Sequence, residues 1–249
     1  MHQKSPELIA HLKQEHSNSP WAQYLKEIVY GGNDGVVTTF AVVAGFSGAA
    51  ITGEAIVGLS FMTVLLFGLA NLFADGLSMG LGNFLSIRAE QDLYITAEKK
   101  EAHEIIHNRQ MEIEETIDIL QHKGFEKNDA HVLVKIYQKN ELYWIDWMMK
   151  HELEMDDPRD TNPIYTGMAT FVSFLVFGVV PLLPFLMQDL STEKAFYISC
   201  GLTFMALATL GVIRWRVTGT FFWRAVGESV LIGGISAVVA FGVGVLFRV

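Results

Sequence analysis

The sequence predicts an all-α protein of five transmembrane helices, with a cytoplasmic helical domain inserted between spans two and three. Three observations lead there. Hydrophobic residues make up 51% of the 249, with 22 glycines and a mean hydropathy of +0.30, which points toward the membrane class. The apolar residues gather in runs at 36–51, 55–73, 165–187, 195–213 and 225–247, each near the roughly 20 helical residues that cross a bilayer core. Between the second and third runs lies a long charged stretch with helical spacing.

Residues 1–30 read as a cytoplasmic amphipathic segment. His2, Lys4, Glu7, His11, Lys13, Glu15 and His16 stand where a cleavable signal would place its apolar core, so the first span is expected to stay. Spans one and two occupy 31–88, the insert 89–160, and spans three to five 161–249. Of the 18 Lys and Arg, only Lys194 and Arg248 fall on the far side of this arrangement. The positive-inside rule then puts the N-terminus and the insert in the cytoplasm and the C-terminus opposite. Cys200 is the only cysteine, so no intrachain disulfide is possible.

Inside the insert, Ile105, Ile106, Ile113, Ile117 and Leu120 recur at three-to-four spacing up to Gly124. Val132, Leu133, Ile136 and Tyr137 resume the pattern after a cap signal at Asn128 or Asp129. A third helix is expected from 143 to 155, ending before "DDPRDTNP", and the first is expected to continue from span two. The insert carries most of the net charge of −9. A charge-rich stretch is usually a solvated surface. Here Glu101 with Glu104, and Glu112 with Glu115, stand at i, i+3, where like charges repel unless a cation sits between them. Met148, Met149 and Glu152 add two thioethers and a carboxylate. Carboxylates with soft sulfur suit a borderline divalent transition metal better than calcium or magnesium.

Residues 103–107 spell HEIIH, the zinc-protease pattern. No downstream HxxGxxH supplies a third ligand, and Lys99, Lys100, Glu101 and Arg109 flank it. A metallopeptidase is therefore not expected. Glu104 and His107 also form one ExxH pair, but a ferritin-like oxidase needs two and none of the other histidines completes a second.

Ionisable residues within a span are costly and mark function. Asp34 opens the first span and Asp75 lies in the second; Glu228 lies in the fifth, one turn after Arg224, with which it can pair. Asn71, Asp75, Met79 and Asn83 are spaced by four, a single polar and sulfur-bearing stripe. Asp34 can also serve as an N-cap, and Met79 as ordinary packing. Small residues at Ala41, Gly45, Gly76 and Gly80 permit close helix contact.

"NDGVVTTFAVVAGFSGA", "LSMGLGNFLS", the ExxE pairs, "WIDWMMKHELEMDDP" and "VVPLLPF" together resemble the vacuolar iron transporter family, in order and over nearly the whole chain from Glu27. The resemblance implies a homodimer of five-span subunits that exports Fe2+ from the cytoplasm in exchange for protons. It implies metal ligands at Glu101, Glu104, Glu112, Glu115, Met148, Met149 and Glu152, and a translocation path using Asp34 and Met79. Some relatives carry Glu eight residues before the path Met; that position here is Asn71, with Asp75 one turn on to supply a carboxylate. No permanent cofactor and no nucleic-acid partner are implied, only the lipid bilayer, protons and the transported ion, which Mn2+, Zn2+ or Co2+ could replace. The same residues also leave open a membrane-anchored metal sensor or buffer.

Overall fold

A computed structural model describes residues 20–50, 61–187 and 190–246. The N-terminal segment as far as residue 19, the start of the second apolar run, and Arg248 lie outside the described residues. Every regular element within them is helical. After one helical turn at Pro20–Gln23, α1 runs Leu25–Ala50, α2 Phe61–His107, α3 Arg109–His122, α4 Lys127–Tyr137 and α5 Glu141–His151. Then come α6 at Pro163–Gly178, α7 at Thr192–Thr218 and α8 at Phe222–Leu246, with 3-10 turns at Pro158–Asp160 and Val180–Leu186. The chain divides into two compact units, one of residues 1–83 with 164–249 and one of 84–163.

In the first unit, α1, α7 and α8 pack mutually. Their close approach depends on missing side chains. A Cβ on Gly35 would meet the Phe174 carbonyl oxygen, and one on Gly244 would meet that of Gly45, so backbones touch where glycine stands. Gly76 and Gly80 of α2 play the same part against Phe171, Phe174 and the Gly167 carbonyl of α6. Asn83 donates to Thr170 Oγ1 at 2.8 Å, and Ser173 donates to the Ile28 carbonyl at 2.7 Å, fastening α6 to α2 and α1. Cys200 packs with the apolar cluster around Phe40, Val64, Leu182 and Phe185, the filler role its sequence position suggests.

Among the described residues, segments Met62–His107, Glu193–Thr218 and Phe222–Leu246 are long and apolar enough to cross a membrane. The third predicted run is not one straight helix. It breaks after Gly178 and continues at Val180–Leu186 with a 43° bend, making a fourth span if the pair is taken together. Pro181 and Pro184 lack the amide hydrogens a continuing helix needs, and Ser199 donates to the Pro181 carbonyl at 2.7 Å. Helix α1 reaches the limit of the described residues at Ala50, so the first predicted span lies only partly within them.

The second unit holds the last part of α2 with α3, α4 and α5. Its core is Ile105, Ile117, Leu120, Ala130, Val134, Trp144, Trp147 and Met148, and full burial of a side chain of this size contributes about 1.5–3 kcal/mol. Helix α3 stops at Gly124, whose φ of +96° suits glycine and lets Phe125 N–H reach the Leu120 carbonyl at 3.1 Å. Helix α4 starts earlier than the Asn128 or Asp129 signal suggests: Glu126 is its N-cap, with no side-chain cap bond. Asn140 caps α5, which ends at His151 rather than residue 155. There Glu152 takes the C-cap, and Leu153 and Met155 fold back onto the Met148 and Met149 carbonyls. Gln91 then holds the return segment through the Pro158 and Thr161 carbonyls at 3.1 and 2.9 Å.

Candidate metal centre

Three elements of the second unit each deliver one carboxylate. Glu101 lies on the inner face of α2, Glu112 in the first turn of α3, and Glu152 at the C-cap of α5. Ligand oxygens of the three all lie within 4.8 Å of one another. Oxygens bound at about 2.0–2.2 Å to one divalent ion stand about 3–4.4 Å apart, so a small side-chain movement closes this set on a cation. Glu101 is 2% exposed and Glu112 4%. Glu101 Oε1, Glu112 Oε2 and Glu152 Oε2 are buried without a hydrogen-bond partner, an expensive state for carboxylate oxygens that a bound cation relieves.

The electrostatics agree with the geometry. Burial pushes Glu101 up to about 8, with the charges of Glu152 and Glu112 adding to it. Burial, then Glu115, Glu112 and Glu104, raises Glu152 to about 7. Glu112 is raised by burial and by Glu115. Glu104 and Glu115 are half-buried at the rim and act on the trio through space. Lys100 pairs with Glu104 at 3.7 Å but is largely exposed, so it offsets the neighbouring carboxylates only weakly.

Packing fixes α3 against α5. Trp144 Nε1–H donates to Thr116 Oγ1 at 2.9 Å, and Thr116 in turn donates to the Glu112 carbonyl at 2.6 Å. Met148 Sδ lies 3.3 Å from the same hydroxyl. A hydroxyl has one hydrogen, and the short oxygen acceptor takes it, so the sulfur lone pairs stay uncommitted. Met148 and Met149 are fully buried; Met148 belongs to the apolar core, one turn before Glu152.

The HEIIH residues divide. Glu104 acts electrostatically on Glu101, Glu112 and Glu152, whereas His103 and His107 are exposed and stacked on each other.

In the first unit, Asn71, Asp75, Met79 and Asn83 are all half-buried, so the predicted stripe lies along one side of α2. Asp34 and Asp75 are near enough for their charges to repel. Asp34 lines a cavity of about 720 Å3 with Lys26, Asn33, Arg214 and Thr218, and Asn71 lines one of about 610 Å3 with Ala41, Gly45 and Gly244. Asp34 sits within α1, where Thr38 donates to its carbonyl at 2.8 Å, so it is not an N-cap. Glu228 pairs with Arg224 at 2.9 Å and also with Arg214 at 2.7 Å. Glu27, which hydropathy does not mark, lies two turns before Asp34 on the same helix face. It is 8% exposed, with Oε2 unpartnered; the signal was an acidic residue at i−7 from Asp34.

A family model described as "VIT family" matches residues 25–245 of this chain. The chain is 33% identical over 253 residues to a vacuolar iron transporter of Toxoplasma gondii, covering 97% of this chain and 80% of that protein. It is 31% identical over 220 residues to vacuolar iron transporter 1 of Oryza sativa subsp. japonica, covering 88% and 84%. With vacuolar iron transporter 1 of Arabidopsis thaliana it shares 30% identity over 234 residues, covering 94% and 89%.

Proposed function

The chain belongs to the VIT family, and from that premise we propose that it exports Fe2+ from the cytoplasm across a membrane in exchange for protons. It is an integral membrane protein that transports metal, and not an enzyme. The working unit is a homodimer of five-span subunits, with the N-terminus and the insert of 89–160 in the cytoplasm and the C-terminus on the opposite side. The metal is cargo; no permanent cofactor takes part.

One observation carries this reading: buried Glu101 and Glu112 meet the partly exposed Glu152, with oxygens within 4.8 Å and one unpartnered buried oxygen each. Glu104 and Glu115 add charge at the rim, and Met148 and Met149 bring soft sulfur that favours Fe2+ over Mg2+ or Ca2+. Mn2+, Zn2+ and Co2+ fit the same donors and are further substrates. An entering ion displaces the protons that burial retains on these carboxylates, so occupancy depends on pH through the ligands themselves.

The ion then crosses past Asp34, Asp75, Met79 and Asn71. The half-buried stripe of α2 and the mutual repulsion of Asp34 and Asp75 support this route, since a cation passing between two such carboxylates is stabilised. Protons moving the other way neutralise the carboxylates after the ion leaves, with Asp75 in place of the glutamate that Asn71 lacks. The test is Fe2+ uptake by proteoliposomes of the purified chain under an imposed proton gradient. Gradient-driven uptake that Asp34→Ala and Met79→Ala each abolish is the expected result. Metal binding without transmembrane flux would identify a membrane-anchored buffer instead.

A further inference from the structure

The proposed transport mechanism has no use for the two histidines of HEIIH, yet their arrangement is specific. His103 and His107 stand at i, i+4, on one side of the last turn of α2. Their rings stack with centroids 3.9 Å apart and planes 15° from parallel. His107 Nδ1 lies 2.9 Å from the His103 carbonyl oxygen. A carbonyl only accepts, so Nδ1 carries the hydrogen and Nε2 of His107 keeps its lone pair. Among the described residues neither ring has another hydrogen-bond partner, and both are exposed.

We infer that His103 and His107 form a second metal site, a bis-imidazole clamp for a borderline divalent cation such as Zn2+, separate from the three-carboxylate centre. Metal–nitrogen bonds of about 2.0–2.1 Å at a tetrahedral angle place two nitrogens about 3.3 Å apart. The stacked rings, with planes 15° apart, direct their in-plane lone pairs alongside one another, so His103 must turn out of the stack to aim a nitrogen at an ion held by His107 Nε2, a movement that its exposed position and the i, i+4 spacing allow. The backbone carbonyl orients one imidazole in the way second-shell acceptors orient metal-bound histidines. Water completes the coordination on this open face. The two sites differ in ligand chemistry: neutral imidazole suits Zn2+, Cu2+ and Ni2+, whereas a carboxylate set also holds Mn2+. The inference stands apart from the transport reading, because it needs no flux.

Equilibrium dialysis of the full chain in detergent against Zn2+, and separately against Mn2+, tests it. The wild-type chain should hold one more Zn2+ than His103→Gln/His107→Gln at the same free concentration, while Mn2+ binding is unchanged. Retained Mn2+ binding also shows that the variant is folded, as expected for two exposed positions. Equal Zn2+ stoichiometry in the two proteins would overturn the site. Loss of Mn2+ together with Zn2+ would overturn it too, since the histidines would then serve the carboxylate centre.

Discussion

Glu101 and Glu112, on different helices, bring carboxylate oxygens within 4.8 Å of each other, and each keeps one buried oxygen without a partner. An apolar interior holds such a pair only with protons or a cation to neutralise it.

The first consequence concerns pH. In the metal-free protein Glu101 is raised to about 8 and Glu152 to about 7, from an ordinary 4.5. Between these values the folded chain holds protons that the unfolded chain has lost, so stability falls as pH rises through the interval. Thermal unfolding of the full chain in detergent with chelator should give a lower Tm near pH 8 than near pH 6. Added Mn2+ should reverse that trend, and a Tm that rises with pH without metal contradicts the cluster.

Neutralising one member separates binding from folding. Glu112→Gln removes a buried charge, so metal-free stability near pH 8 should rise while metal affinity falls by at least the roughly 10- to 100-fold that losing an outer-shell partner costs. Titration calorimetry with Mn2+ reads the affinity, and unchanged binding would remove Glu112 from the site.

Trp144 and Thr116 hold α3 against α5. Trp144→Phe keeps most of the packing and loses the donor to Thr116, costing about 1–2 kcal/mol, whereas Trp144→Ala should cost about 3–5 kcal/mol. Denaturation monitored by far-ultraviolet circular dichroism measures both.

Glycines in the first unit make an opposed pair of predictions. A side chain at Gly35 would strike the Phe174 carbonyl, while one at Gly45 meets nothing within 4 Å. Gly35→Val should lower the melting temperature and abolish Fe2+ uptake, and Gly45→Ala should leave the melting temperature near wild type. Equal behaviour of the two would contradict the described packing of α1 on α6.

The helical class, the apolar runs and the acidic character of the insert were legible because periodicity and composition are local properties. Which carboxylates meet was not. Spacing pairs Glu101 with Glu104 and Glu112 with Glu115 along single helices, whereas the structure takes one residue from each of three elements and leaves Glu104 and Glu115 at the rim. That choice depends on the rotation of α3 and α5 about their axes, which the buried Trp144–Thr116 bond helps to set. The end of α5 departs from the sequence expectation for a similar reason. "HELEM" reads as helix, but Glu154 adopts a φ of +52° as Leu153 and Met155 close on the helix carbonyls. The bend after Gly178 was foreshadowed by Pro181 and Pro184, yet an apolar run by itself does not show a break. Glu27 precedes the apolar run, and its burial depends on neighbours distant in sequence, so the sequence alone does not mark it.

The most direct measurement is the position of an ion in crystals of the full chain grown with Mn2+, read from anomalous scattering. The account predicts a peak coordinated by oxygens of Glu101, Glu112 and Glu152. No peak there at saturating metal, with Glu101 and Glu112 still facing each other across a shared proton, would contradict it.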